Sequence, residues 1–133
     1  RSATKINFVL KVKPEDLILY ADESLITRVV SNILKNAIEA CESESSEENS
    51  EKKQSKITVT ATIDAQESVT IDIANNGPLI SDADAAQIFV PFYTTRPNGS
   101  GIGLALARRI MQSHGGSLSL QNKPQTKFSL FFP

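Results

Sequence analysis

Cysteine and histidine are nearly absent: Cys41 and His114 each stand alone in the chain. One thiol excludes an internal disulfide framework, and one thiol with one imidazole excludes a conventional zinc cluster. A reducing cytoplasm suits that cysteine usage. An excess of charge is missing too, since 14 basic side chains face 15 acidic ones and leave a formal net charge of -1. Without a basic field, nucleic acid and anionic lipid are not expected as partners. No apolar run reaches the roughly 20 residues of a spanning helix, and no charged-then-apolar leader opens the chain. The first residue is Arg1 rather than methionine, from which we expect a piece of something longer.

What remains is globular material. With 133 residues, 40% of them apolar and 22% charged, the chain suits one compact domain, 1–133, with one core. "NFVLKV" (Asn7 to Val12) and "LILY" (Leu17 to Tyr20) read as two strands around a proline turn. Apolar residues then recur every three or four positions from Leu25 to Cys41, predicting a helix with Asp22 as its N-cap and Cys41 as a small core residue. "ESESSEENSEKKQS" (Glu42 to Ser55) lacks periodicity and reads as an exposed acidic loop. "KITVTATI" (Lys56 to Ile63) and "SVTIDIA" (Ser68 to Ala74) alternate as a hairpin. A short helix capped by Ser81 is expected over Ser81 to Phe89, then a loop over Pro91 to Gly101. A second long helix follows from about Ile102 to Ser113, stopped at Gly115-Gly116. "SLSL" (Ser117 to Leu120) and "KFSLFF" (Lys127 to Phe132) close the chain as strands. Paired strands with helices between the pairs predict an α+β fold, a mixed or antiparallel sheet covered by helices on one face.

Three constellations can carry chemistry. On the first long helix, Asn32, Asn36 and Glu39 gather within about 60° at one margin of the apolar stripe. That edge is either a solvated polar border or a place where the Asn36 amide oxygen joins the shell of Mg²⁺. In "NGSGIGLALA" (Asn98 to Ala107), Gly99, Gly101 and Gly103 alternate directly before a helix. Their amides can approach an anion at the helix start, or the glycines can serve tight packing there. No Lys-Ser or Lys-Thr follows them, so this is not the familiar P-loop. In "IFVPFYTTR" (Ile88 to Arg96), Phe89 and Phe92 are expected to pack the loop's base onto the core. Arg96 is either a surface charge or a phosphate ligand. His114, at a helix end beside two glycines, has a structural role.

Together, "NILKNAIEA" (Asn32 to Ala40), "NNGPLI" (Asn75 to Ile80), "IFVPFYTT" (Ile88 to Thr95) and "GSGIGLALA" (Gly99 to Ala107) resemble the four ATP-binding boxes of sensor histidine kinases, in order and in spacing. The resemblance spans nearly the whole chain and implies the Bergerat, or GHKL, fold. That is a two-layer α/β sandwich, with about five mostly antiparallel strands in a mixed sheet packed against three helices and an ATP lid at about 91–100. It implies that Mg-ATP is bound and its γ-phosphate passed to a histidine on a separate dimerisation domain, and from there to a response regulator. No such helical domain precedes Asn7, and His114 is not the acceptor. The expected context is the cytoplasmic portion of a longer, membrane-anchored bacterial sensor protein, dimeric when intact and monomeric as this fragment.

Residue by residue, Asn36 resembles the family's magnesium ligand and Asn32 the polar residue one turn earlier. Hydrolytic relatives hold a water-activating glutamate at the position of Asn32; asparagine cannot act as that base, which favours transfer over hydrolysis. Asn32, Glu39 and Arg96 form the catalytic set so implied. Nucleotide contacts are implied for Asn75, Gly77 and Leu79, for Phe92, Thr94 and Thr95 at the lid, and for Gly99, Ser100, Gly101, Ile102, Gly103 and Leu104 at the second glycine box. The chain departs from the family at Asn75, where an aspartate usually accepts from the adenine amino group, and at Leu79, which replaces a glycine. An amide keeps an acceptor and adds a donor, so we expect binding to survive with reduced discrimination between purines. Two other readings stay open: a degenerate nucleotide-binding or interaction module, and another GHKL enzyme, an ATPase or a serine kinase.

Overall fold

The computed structural model describes residues 5–45, 54–93 and 102–133. Its elements run β1 (Ile6–Lys13), α1 (Glu23–Ser45), β2 (Ser55–Ile63), β3 (Val69–Asn75), α2 (Asp82–Ala85), α3 (Gly103–Ser113), β4 (Ser117–Gln121) and β5 (Thr126–Phe132). The strands form one sheet in the order β1-β2-β3-β5-β4. β1 runs parallel to β2, as expected for two strands joined through a helix, and every other pairing is antiparallel.

Strand alternation creates the two layers. Ile57, Ile73, Phe128, Leu130 and Leu118 lie on one face of the sheet, buried with Ile26, Val29, Ile33, Ala37 and Cys41 of α1 and Ala107, Ile110 and Met111 of α3. Thr58, Thr60, Asp72 and Ser129 alternate with these, and Ser129 Oγ donates to Asp72 Oδ1 on that opposite, polar face. Each fully buried Ile or Leu in this layer contributes about 1.5–3 kcal/mol from apolar surface removed from water. Asp22 caps α1, its Oδ1 accepting from Leu25 N at 2.9 Å, and Ser81 Oγ accepts from Asp84 N at the start of α2.

Several boundaries differ from the sequence expectation. Leu17–Tyr20 is not a strand: it is irregular backbone outside any ladder. Leu17 and Leu19 lean on the core, whereas Ile18 and Tyr20 are 66% and 91% exposed. Alternation there records one-sided packing, which needs no paired neighbour. The acidic loop is shorter than 42–55, because α1 continues to Ser45 and β2 begins at a buried Ser55; residues 46–53 lie outside those described. The short helix closes at Ala85 and gives way to turns through Phe89. Leu25, counted in the apolar stripe, is exposed at its margin.

His114 is structural, as expected, through a contact the sequence did not indicate. Its Nε2 accepts from Asp22 N at 3.2 Å and its Nδ1 lies 2.9 Å from Ile110 O. The carbonyl requires Nδ1 to carry the proton, so the ring joins the end of α3 to the start of α1 as the neutral Nδ1–H tautomer.

Candidate functional site

The four boxes converge on a cavity of about 240 Å³ over one end of the sheet. α1 supplies Asn36, Ala37 and Ala40; the end of β3 and the turn after it supply Asn75, Pro78, Leu79 and Ile80. Asp84 and Ile88 come from α2 and the turns beyond it, Leu104 from α3, and Thr126 and Phe128 from β5. Asn36, Ala37 and Ala40 share one helical face because three- and four-residue steps bring side chains back to the same side. Just below the usual range for small-molecule clefts, about 300–1,000 Å³, such a cavity suits a planar base with its substituents outside.

Its floor is polar where the surrounding sheet face is apolar. Asn75 and Thr126 are directly opposed in the β3–β5 ladder and are 3% and 4% exposed. Among the described residues, Asn75 Nδ2 and Thr126 Oγ1 are both buried without a hydrogen-bond partner. An orphaned buried donor or acceptor costs about 1–3 kcal/mol, and two side by side in a cavity mark a place where a polar ligand edge restores the missing bonds. The neighbouring asparagine does different work. Asn76 Oδ1 accepts from Lys56 N at 2.8 Å and its Nδ2 donates to Gln54 O at 2.9 Å, clamping the turn to the start of β2. Gly77 leaves room for the Asn75 amide: a Cβ there would stand 2.8 Å from Nδ2.

Of the other expected residues, Leu79 and Leu104 line the cavity. Asn32 stands one turn before Asn36 and donates from Nδ2 to Gly103 O at 3.2 Å, tying α1 to the start of α3. A Cβ on Gly103 would make only ordinary contact with Asn32, at 3.6 Å, so internal packing does not require glycine at that helix start. Ile102 is 44% exposed as the residue preceding α3. Glu39 is half-buried on α1, outside the cavity lining. Phe92 does not pack onto the core as expected. It is 75% exposed with φ 70°, a conformation uncommon for a bulky residue, while Phe89 alone anchors the segment against Phe128 with Arg108 over its ring. Thr94, Thr95, Arg96, Gly99, Ser100 and Gly101 lie outside the described residues.

Two anchors hold the outer wall. The Tyr93 hydroxyl donates to Asp84 Oδ1, and that bond, more than burial or the carboxylate charge, raises the phenol pKa. Asn122 Nδ2 donates to Ile80 O at 2.9 Å and to Asp82 Oδ1 at 2.8 Å, pinning the turn after Asn75 to the β4–β5 connection. The Asn122 hydrogen bond first, then the charge of Lys123, lowers the Asp82 pKa. A carboxylate whose folded pKa is depressed favours folding above its ordinary titration range and loses that contribution as pH falls through the lowered value. Asn122→Ala is therefore expected to move Asp82 back up toward its ordinary value, read by NMR titration of its carboxyl carbon; an unmoved midpoint would show that Lys123 alone sets it.

Sequence reasoning missed Thr126 altogether, along with Ala37, Ala40, Ile80, Asp84, Ile88 and Phe128. The expected strand began one residue too late to include Thr126. The small residues of α1 carried a signal, since alanines at 37 and 40 beside Asn36 leave that helix face open for a ligand.

A layered sandwich with a cavity between helices and sheet frames the site. Residues 21–133 match the family of histidine kinase-, DNA gyrase B- and HSP90-like ATPases, and the chain belongs to that family. Its relatives within it are sensor kinases. It is 36% identical over 104 residues to the nitrogen regulation protein NtrY of Azorhizobium caulinodans, covering 78% of this chain and 13% of that protein. It is 30% identical over 131 residues to the signal transduction histidine-protein kinase AtoS of Escherichia coli, covering 97% of this chain and 20% of that protein. The chain thus spans a fifth or less of the length of these two relatives. A nucleotide-free catalytic domain of histidine kinase ThkA superposes with a TM-score of 0.78 at 32% identity, covering 96% of this chain and 80% of that one. The fold is that of a histidine kinase catalytic domain, and the family is one of ATP users. Among the described residues, no helix is long and apolar enough to cross a membrane.

Proposed function

We propose that this domain binds Mg-ATP with its base against Asn75 and Thr126 and its phosphates toward Asn36 and the start of α3, and presents the γ-phosphate to a histidine on a separate dimerisation domain. The observation that carries the proposal is the orphaned polar pair, Asn75 Nδ2 and Thr126 Oγ1, at the floor of a cavity whose rim bears Asn36. No group of three or more His, Cys, Asp or Glu able to hold a metal occurs among the described residues. Mg²⁺ would enter here with the phosphates, and the Asn36 amide oxygen is the hard protein ligand that would help hold it. When bound, it neutralises charge developing on the transferred phosphoryl group; the chain's own residues position and orient.

Asn32 supports transfer over hydrolysis. It has no basic atom with which to activate water, and its amide is engaged with Gly103 O. Arg96 and the glycines at 99 and 101, with Gly103, are the residues we assign to the phosphates. Gly103 suits the assignment because a Cβ there would make only ordinary contact with Asn32 among the described residues, leaving close approach of a ligand as a reason for glycine. Glu39, half-buried on α1 and outside the cavity lining, is retained as a catalytic candidate. The response regulator enters as a downstream partner, supported by a complex of ThkA with the response regulator protein TrrA, in which the ThkA chain matches with a TM-score of 0.74 at 30% identity.

Incubation with γ-labelled ATP, Mg²⁺ and the cognate dimerisation domain is expected to give acid-labile, alkali-stable label on that domain. Rapid release of free phosphate without transfer, or nucleotide binding without either, would overturn the transfer reading in favour of an ATPase or a binding module.

A further inference from the structure

Resting on the assignment of this cavity to a nucleotide base, we infer that the site also accepts purine nucleotides carrying an oxygen at the six-position. The polar groups at its floor lack a fixed polarity. Asn75 presents a carbonyl acceptor and an NH₂ donor on one planar group, and no acceptor among the described residues pins Nδ2. Thr126, opposite it, has a hydroxyl without a partner that rotates to donate or accept.

An amide matches the six-edge of either purine by turning over. With Oδ1 toward the six-substituent it accepts from an amino group while Nδ2 donates to the unprotonated ring N1. Turned by half a rotation, Nδ2 donates to a six-oxo group while Oδ1 accepts from N1–H. A carboxylate in the same place has acceptors only and meets a six-oxo group with repulsion. Gly77 gives the amide its freedom, because a Cβ there would sit 2.8 Å from Nδ2. Asp84, the one carboxylate among the described lining residues, does not substitute as a reader, since it already accepts the Tyr93 hydroxyl. The remaining wall near the floor is Ala37, Ile80 and Leu104, which contact ring faces without distinguishing the substituents.

Competition calorimetry with ATP, ITP and GTP on the purified domain tests the inference. ITP differs from ATP at the six-position and N1 and lacks the 2-amino group of GTP, so it isolates this edge. Wild type is expected to bind ITP within about tenfold of ATP, and Asn75→Asp, which removes the donor at constant shape, to widen that ratio at least about tenfold. A wild-type preference for ATP over ITP of a hundredfold or more would overturn the inference, as would equal ratios in the two proteins. Should Asn75→Asp fail to fold, the wild-type ratio still decides. If ATP binds and ITP does not, only this inference falls; if neither binds, the assignment of the cavity to nucleotide falls with it.

Discussion

Asn36→Ala is expected to lower phosphate transfer to the dimerisation domain by on the order of a hundredfold or more, with the fold intact. Asn36 is half-buried on α1 and lines the cavity on the same helical face as Ala37 and Ala40. No carboxylate or imidazole cluster among the described residues offers the metal another seat. On the proposed role of Asn36, losing its amide oxygen would weaken the hold on Mg²⁺, so the deficit should shrink as Mg²⁺ is raised. Asn36→Asp, which restores an oxygen ligand, should recover part of the activity. Alanine is the better helix former in the middle of α1, and a thermal melt of the variant checks that the fold is kept. Equal acid-labile labelling by wild type and Asn36→Ala would remove Asn36 from the metal site.

The largest expected effect on stability comes from Gly116→Ala, a loss of about 3 kcal/mol or more in urea unfolding, a large part of the roughly 5–15 kcal/mol that holds a typical domain. A Cβ at this position would stand 2.1 Å from the carbonyl oxygen of Phe131. That oxygen cannot yield cheaply, since Phe131 sits in β5 between Thr70 of β3 and Ser117 of β4, and displacing it disturbs two ladders. The adjacent Gly115 is glycine for a different reason. Its φ of 74° is left-handed and nothing lies within 4 Å of a Cβ there, so Gly115→Ala should cost only about 1–2 kcal/mol of backbone strain. Similar losses in the two variants would show that close packing against β5 is not what Gly116 serves.

The pair Gly115-Gly116 also shows how far the sequence could be read. A helix stop was visible, because glycine at the end of a periodic run is a local signal. Which glycine relieves strain and which admits a neighbouring strand was not, because β5 arrives from farther along the chain. The same division runs through the fold. α1 and α3 announced themselves by apolar spacing, and Asp22 caps α1 where a short polar side chain precedes the run. Leu17–Tyr20 misled because alternation reports a chain with one side on the core, whatever its backbone pairs with. Phe92 misled because an aromatic is assumed to seek the core, whereas Phe89 already fills that place against Phe128.

By itself, the sequence determined most of the elements and the two-layer class, because helical period, strand alternation and turn chemistry act over a few residues; that Asn36, Asn75, Leu79 and Leu104 share one site came only as what the family resemblance implies. Only the tertiary structure decided that Thr126 faces Asn75, that Asn76 clamps its turn to the start of β2, and that Asn32 is tied to Gly103. These depend on strand register and helix docking between distant segments, and whether a buried polar atom finds a partner is set by which segments meet.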